Sequence, residues 1–364
     1  MAALIDSYCL VGRSEVHDFV KRCMVATGVE ESHAVDLANL LVAADTRGHF
    51  SHGINRLGMY VDDILLGTTA KTGSPEIVKE KAGTALVDAK NVLGPVAGKF
   101  CTDLAIQKAK EAGIGWVSCR GSNHYGIAGW YSMRASEQGL IGMSFTNTSP
   151  LQVPTRAVKP ALGTNPISVA APCKGDDFVL DMATSTAAVG KVEMNHRKGI
   201  EIPRGWGVDS QGKETNDPQK VLDGGGLLSV GGVESSGGYK GYGLAMMVEI
   251  FCGILSGSLY GPYIRSWLNA SKEDLRPANL GQCFVAIDPS AFADGFEDRM
   301  ADIMSYCRNL EPAEGETEVL VAGDPERKHI RKVEENGGIH YHVNVIEAMN
   351  KIADKLKVSK IETK

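Results

Sequence analysis

Six side chains that could bind an anion or move a proton lie within one stretch of twelve residues, DTRGHFSHGINR at 45–56. Apolar residues at helical spacing follow over 54–65, and Ser51 has the chemistry to cap the first turn of that helix. At about 100° per residue, His52 and Arg56 lie one turn apart on the side away from the apolar residues. An imidazole next to a guanidinium could anchor a carboxylate. A helix face that is polar only for solubility would show the same spacing.

A second candidate is His124, in the stretch RGSNHYGIAGWY at 120–131. It follows a short β-like run, GWVSC at 115–119, and two glycines bracket it. A loop at this position can present a histidine to a cleft, where its near-neutral pKa suits a general base. Capping the next helix is an equally good interpretation.

Two further stretches carry chemistry. Asp181 ends an apolar run, with hydroxyl residues over 184–186, and could orient a histidine or simply cap a helix. Lys240 lies in GGYKGYG at the start of a hydrophobic helix, which suits a phosphate contact and equally a solvated turn.

Several familiar sites are missing from the sequence. No segment completes GxGxxG, and HExxH does not occur. His340 and His342 could share one face of a strand, but no third ligand is near in sequence, so no metal site is expected.

Composition excludes other classes of protein. The chain has 364 residues, a net charge of −6 and 42 glycines. The charge argues against nucleic acid as a partner, and the glycines suggest many tight turns. We see neither a signal peptide nor an apolar run long enough to span a membrane. The eight cysteines show no CxxC spacing, which favours free thiols in the cytoplasm.

The pattern of elements indicates an α/β layer architecture after a helical start. The first 66 residues are expected to be all-helical, and GTTAKTGSPE at 67–76 reads as a boundary. Loops, with at most a short hairpin, are expected over 186–238. Strands are expected at 84–89, 115–119, 140–145, 167–171, 178–182, 283–288 and 318–327. Further helices are expected at 95–113, after RGSNHYGIAGWY to about Gln138, and at 238–257, 292–310 and 345–358.

Read together, these stretches resemble the type-2 malate/L-lactate dehydrogenase family of NAD(P)-dependent 2-hydroxyacid dehydrogenases. The motifs that carry the resemblance are DTRGHFSHGINR, GSNHYGIAGWY, GTNPISVAAP, VLDMATS, GGYKGYGLAMMVEI and VAGDPER. They span nearly the whole chain. The resemblance implies an α/β fold with a non-Rossmann mixed sheet over 73–304. It also implies an all-helical domain built from 1–72 and about 305–364, and a homodimer.

The resemblance also implies roles for individual residues. His124 resembles the general acid/base, Ser51, His52 and Asp181 a relay-type group, and Arg56 the clamp on the substrate carboxylate; which histidine moves the proton stays open. The implied cofactor contacts are His124, Tyr125, Thr148, Met182, Ala183, Thr184, Ser185, Lys240, Gly323, Asp324, Pro325 and Glu326.

The expected reaction is reversible hydride transfer between a nicotinamide, NAD favoured over NADP, and a small 2-hydroxy/2-oxo acid. Malate is the first substrate expected, since the family is often dicarboxylate-directed and Arg47 is a second cation nearby in sequence. Reduction of an imino acid is a close alternative. A catalytically silent protein that binds the cofactor is the alternative from another class.

Overall fold

The computed structural model describes residues 8–267 and 275–364. The first part of the chain forms β1 (Tyr8–Val11), α1 (Arg13–Ala26), α2 (Glu31–Thr46) and α3 (Leu57–Leu65). The next part forms β2 (Glu76–Lys81), β3 (Thr84–Asp88), α4 (Gly94–Ala112), β4 (Ile114–Ser122), α5 (Gly129–Ser136), β5 (Ile141–Thr146), β6 (Ile167–Ala171) and β7 (Phe178–Met182).

Short elements follow, and helices dominate the end of the chain. The short elements are α6 (Val189–Lys198), β8 (Gly207–Val208), β9 (Glu214–Thr215), α7 (Pro218–Leu222) and β10 (Gly226–Leu227). The remaining elements are α8 (Gly238–Glu249), β11 (Leu280–Ile287), α9 (Phe296–Arg308), α10 (Asp324–Glu335), β12 (Ile339–His342) and α11 (Val343–Leu356). A π-helical turn, Ile250–Ile254, extends α8. None of the described helices is long and apolar enough to cross a membrane.

In the described residues the main sheet is mixed and has seven strands, in the order β2-β3-β4-β11-β5-β6-β7. β3 and β4 run parallel, while the other neighbouring strands of this sheet pair antiparallel. The expected strands at 167–171 and 178–182 are confirmed to the residue.

The sheet is covered on both faces. Alternate residues of a strand point to opposite faces, so Phe284 packs with the residues of α4 and α5 while Val285 packs with those of α8. Burial on both sides explains why β11 reads as an almost continuous apolar run. Pro95 in the first turn of α4 and Gly113 at its end, with φ +81°, bound that helix as the sequence predicts.

The ends of the described chain share a second core. Phe19, Leu37 and Leu41 of the first helices pack with Met349 of α11. The expectation that this part is all-helical is wrong in one respect, because β1 pairs antiparallel with β12. The pairing brings residues about 330 positions apart into register, so no local pattern around 8–11 could have shown it.

Two other sequence expectations are wrong. Residues 318–323 do not form a strand: a short turn there leads into α10 at Asp324, whose carboxylate accepts the Val321 N–H and binds Arg308. The segment 186–238 contains the short hairpin that the sequence allowed, β8–β9, but also α6, α7 and a third strand, β10. Glycines flank these short elements, and they obscured the periodicity that would have predicted helices and strands.

Candidate active site

A cavity of about 460 Å³ opens between the loop that precedes α3, the end of β4 and the segment that follows β7. It brings together ten of the residues singled out from the sequence. They are Ser51, His52, Arg56, His124, Tyr125, Thr148, Asp181, Met182, Ala183 and Ser185. Four stretches of sequence that are far apart along the chain therefore meet in one place.

His52 is positioned by the residue before it. The Ser51 Oγ lies 2.9 Å from His52 Nδ1, so the hydroxyl and the ring share a hydrogen bond. Burial, together with the positive charge of Arg56 and the nearby His49, lowers the pKa of His52 to about 4. At neutral pH this ring is uncharged. The sequence suggested that Ser51 caps α3, and this is wrong. The helix begins six residues later, after the 3₁₀ turn Ile54–Arg56.

His124 lies against His52, with ring centroids 5.8 Å apart and planes tilted by 18°. Its Nδ1 is 2.6 Å from the Tyr60 hydroxyl, and the Gly126 N–H donates to the same atom at 3.3 Å. Burial lowers the pKa of His124 well below its usual range, and the charges of His52 and Arg56 act in the same direction. In both rings Nδ1 is hydrogen-bonded to a side chain of the protein. Nε2 is therefore the nitrogen of each ring that can contact a ligand.

Arg56 supplies a positive charge to the cavity. Its Nε donates to the Ser51 carbonyl oxygen at 2.7 Å, which fixes the guanidinium beside His52. The far end of the same group faces the first turn of α6, because a Cβ built on Gly190 would lie 3.9 Å from Arg56 Nη2. Its planar fork is the shape that binds a carboxylate with two parallel hydrogen bonds.

The loop that carries Ser51 and His52 is tied down by a buried carboxyl group. Asp45 Oδ2 accepts the Ile54 N–H at 2.9 Å and the Tyr341 hydroxyl at 2.6 Å. Asp45 is fully buried, and burial raises its pKa to about 7, against the opposing effect of those two donors. A Cβ on Gly53 would fall 1.7 Å from Asp45 Oδ1, so this close approach requires glycine.

Asp181 does not hydrogen-bond to a histidine in the described part of the chain. Its Oδ2 accepts the N–H of Gly129, the first residue of α5, at 2.7 Å. The carboxylate therefore caps a helix 52 residues earlier in the chain, and not one that follows it. Burial raises the pKa of Asp181, while His49, the Gly129 N–H and Arg47 oppose that effect.

The wall formed by 184–191 is held by backbone hydrogen bonds. Thr184 N–H donates to the Thr164 carbonyl, and Val230 N–H donates to the Thr184 carbonyl, each at 2.8 Å. Thr186 N–H donates to the Leu228 carbonyl at 2.9 Å. The chain thus passes the cavity in an extended course and then turns into α6, whose first turn lines the cavity.

Several predicted cofactor contacts lie outside this cavity. Thr184 is buried behind it and donates to the Thr164 carbonyl, and Lys240 is an exposed residue of α8. Gly323, Asp324 and Pro325 form the first turn of α10, with Asp324 bound to Arg308 and Arg327. Glu326 lies 3.6 Å from the Nε2 atom of His49, which lines the cavity. Arg47, proposed above as a second cation, is also absent from the lining.

The site includes residues that the sequence did not single out: Trp267 and Lys191 line the cavity, and Tyr60 contacts His124 without lining it. Tyr60 looked like part of the apolar face of α3, Trp267 followed a glycine-rich stretch, and Lys191 fell in a segment interpreted as loop. Tyr60 could have been found from its place one turn after Arg56 on the same helix. No local signal pointed to Trp267 or Lys191. No group of three or more metal-binding side chains occurs within 8–267 and 275–364.

Comparison with known proteins defines the class. Residues 11–350 match the malate/L-lactate dehydrogenase family, so the chain belongs to that family. It is 39% identical to the malate dehydrogenase of Pyrococcus abyssi, over 98% of both chains. It is 36% identical to the malate/(S)-sulfolactate dehydrogenase of Methanothermus fervidus, over 96% of this chain and 98% of that protein. The crystal structure of malate dehydrogenase from Entamoeba histolytica superposes with a TM-score of 0.91 at 31% identity, covering 97% and 99% of the two chains.

The family and the cavity agree on a general activity. A dehydrogenase of 2-hydroxy acids needs a cation for the substrate carboxylate, a group that exchanges a proton with the C2 oxygen, and room for a nicotinamide. The chain is accordingly a 2-hydroxyacid dehydrogenase of this family.

Proposed function

We propose that this enzyme interconverts malate and oxaloacetate with NAD, and that Arg56, His52 and His124 form the centre of its site. The observation that carries the proposal is that a guanidinium and two neutral imidazoles face one cavity, with Nε2 of each ring available. The names of the relatives support malate, which carries a second carboxylate beyond the reacting carbon.

The cavity is suited to a nicotinamide. Met182, Leu151 and Pro166 offer apolar surface for a flat ring, and the hydroxyls of Thr148 and Thr164 lie beside them. Its volume is within the usual range of ligand sites. When bound, the nicotinamide supplies the acceptor or donor of the hydride. NAD is expected to be favoured over NADP, and steady-state kinetics with NADH and with NADPH distinguish the two.

Arg56 binds the C1 carboxylate and thereby sets the position of C2. In malate oxidation the C2–H bond breaks with its electron pair, and the hydroxyl proton passes to Nε2 of His124. The C2–O bond becomes the carbonyl of oxaloacetate, and reduction reverses each change. The Tyr60 hydroxyl, 2.6 Å from His124 Nδ1, can both donate and accept as the ring changes charge. His52 stays neutral, while burial and the positive charge of Arg56 oppose a lasting positive charge on His124.

The second carboxylate points towards Lys191. This lysine lines the cavity one residue after Gly190, whose backbone faces Arg56. Arg47 does not line the cavity, and burial lowers its pKa while Glu326 and Asp181 oppose that change. Lys191 therefore replaces Arg47 as the second cation of the proposal.

The domain division and the homodimer are parts of the same proposal. Shared burial of α1–α3 with α10 and α11 supports one domain from 1–72 and about 305–364, with 73–304 as a non-Rossmann cofactor-binding domain. A row of exposed apolar residues after α8 supports self-association: Ile250, Ile254, Leu255, Tyr260 and Tyr263. The eight cysteines, all within the described ranges, are free thiols, which supports a cytoplasmic location.

The test is steady-state kinetics of Arg56→Ala and Arg56→Lys against wild type, with NADH or NADPH. The panel of substrates is oxaloacetate, pyruvate, a cyclic imino acid, and pyruvate with an amine. Arg56→Ala should lower kcat/KM for oxaloacetate by at least about 100-fold, since charge-assisted hydrogen bonds are worth roughly 1.5–3 kcal/mol each. The dissociation constant of the cofactor should change little.

Three other results would count against the proposal. Equal loss of substrate use and cofactor affinity would remove Arg56 from the substrate site. Preference for the imino acids would replace malate by that alternative substrate class. Cofactor binding with no turnover of any substrate would indicate a catalytically silent protein. In the same assays His124→Gln should abolish turnover more completely than His52→Gln, and the reverse order would exchange their roles.

A further inference from the structure

Trp267 forms part of the cavity wall and is held there from two directions. Its indole N–H donates to Asp63 Oδ2 at 3.0 Å. The guanidinium of Arg265 lies over the ring, with its central carbon 4.5 Å from the centroid. Because a hydrogen bond at the ring edge and a cation–π contact on the ring face both hold the indole, its orientation is restricted when a ligand binds.

The groups that hold the indole are themselves buried. Arg265 and Asp63 are 3% and 7% exposed and form an ion pair at 2.7 Å. Thr68 Oγ1 donates to the other oxygen of Asp63 at 3.1 Å, and Ser149 Oγ donates to the Arg265 carbonyl at 2.6 Å. Moving Trp267 would take a donor from a buried carboxylate, which is costly in a low-dielectric site.

The same helix fixes both the indole and His124. Tyr60 and Asp63 are three residues apart on α3 and so lie on neighbouring positions of one face. Tyr60 contacts His124 Nδ1 and Asp63 contacts the indole nitrogen, while the Trp267 and His124 ring centroids are 6.5 Å apart at 72°. The indole therefore stands at a set distance from the proposed acid/base group.

We infer that Trp267 is a specificity-determining residue, a rigid wall that limits the size of the substituent carried on C2 of the 2-oxo acid. Asp63 and Arg265 act as positioning residues for that wall. The inference rests on the proposed function, because it takes His124 as the neighbour of the reacting carbon. We expect the indole to admit a substrate with a short anionic arm and to exclude one with an aromatic arm.

The test compares Trp267→Ala and Trp267→Phe with Trp130→Ala. Trp130 is a matched control because an arginine, Arg134, also lies over its ring, at 5.6 Å, while Trp130 does not line the cavity. The quantity measured is the ratio of kcat/KM for phenylpyruvate to kcat/KM for oxaloacetate. Trp267→Ala should raise this ratio at least about tenfold, in the range that pocket size controls. Trp267→Phe should raise it less, and Trp130→Ala should leave it unchanged.

A binding readout separates this inference from the proposed function. Malonate, a dicarboxylate that cannot be reduced, is titrated in the presence of NAD while tryptophan fluorescence is followed. The signal should change in wild type and in Trp130→Phe, and the change should be lost in Trp267→Phe. If wild type shows no turnover, the malate proposal is overturned. A malonate-dependent fluorescence change that requires Trp267 would still support Trp267 as part of the ligand site. An unchanged kcat/KM ratio in Trp267→Ala, or a malonate signal that persists in Trp267→Phe, would overturn the inference.

Discussion

The two walls of the cavity are built in different ways. The wall formed by 45–63 depends on side chains that meet across long stretches of sequence, such as Asp45 with Tyr341 and Asp63 with Arg265. The wall formed by 184–191 depends on backbone hydrogen bonds to neighbouring extended segments. The first wall should therefore be sensitive to single side-chain changes and to pH, while the second should tolerate them.

The largest expected effect is that of Arg265→Met on the first wall. It leaves the Asp63 carboxylate buried without its cation, and breaking such a pair costs about 3–5 kcal/mol. Denaturant unfolding measures the loss. The control is Arg156→Met, which removes an exposed ion pair with Glu234 and should leave the midpoint nearly unchanged. Equal losses in the two variants would contradict the comparison.

Gly53→Ala should come next. The added methyl overlaps the Asp45 carboxylate, and overpacking of this kind costs roughly 1–3 kcal/mol. Because the loop must move to relieve the overlap, Ser51 and His52 shift and kcat should fall more than stability alone explains. Gly243→Ala is the matched control: a Cβ there meets no atom within 4 Å, and the change should stabilise α8 by about 0.5–1 kcal/mol. A fully active Gly53→Ala enzyme would show that the loop adapts freely.

Asp45→Asn should change how stability depends on pH. The folded pKa of Asp45 is about 7, above the usual value of about 3.9, so between those values the folded state holds a proton that the unfolded chain releases. The stability contributed by this group is present below about pH 4 and is lost as pH rises through 7. Asp45→Asn has no carboxyl group to titrate at this position, so its free energy of unfolding does not fall for this reason. Its stability relative to wild type should therefore increase from pH 4 to pH 7.

Asp209 provides the control for the pH measurement. Its pKa is lowered by the N–H groups of Lys213 and Gln211, so its contribution is lost as the pH falls. Asp209→Asn should therefore change the pH dependence of stability only below about pH 4, where its stability relative to wild type should increase as the pH falls. Chemical denaturation at a series of pH values measures both variants, and parallel curves for Asp45→Asn and wild type would refute the expectation.

The smallest effect is expected in the second wall, for Thr186→Val. The hydroxyl lies 2.9–3.1 Å from the carbonyl oxygens of 205, 228 and 229, to which its single hydrogen can donate, and losing such a bond costs about 0.5–1.5 kcal/mol. The backbone bond from Thr186 N–H to Leu228 remains, so the course of the chain should be kept. Thermal unfolding checks this, and a loss as large as that of Arg265→Met would show that the second wall also depends on side chains.

The same contrast explains what the sequence could predict. The strands at 167–171 and 178–182 have local patterns and were predicted. His52 and Arg56 both line the cavity, but His52 lies outside the helix on whose face the spacing placed it. The Tyr60 contact with His124, and the Asp63 contact with Arg265 and Trp267, depend on residues far apart in sequence, so no spacing rule predicts them. The sequence left open whether Asp181 orients a histidine or caps a helix, and its partner at Gly129 is visible only once β7 lies beside α5.

The hydrogen bond from Tyr341 to Asp45 has a consequence for how the protein is made. These two residues are 296 positions apart, and β1 likewise waits for β12 to complete its sheet. During synthesis on the ribosome, the central sheet can assemble while the loop with Ser51 and His52 still lacks its anchor. The loop therefore gains its anchor only after residue 341 has been synthesised, later than the seven strands of the main sheet.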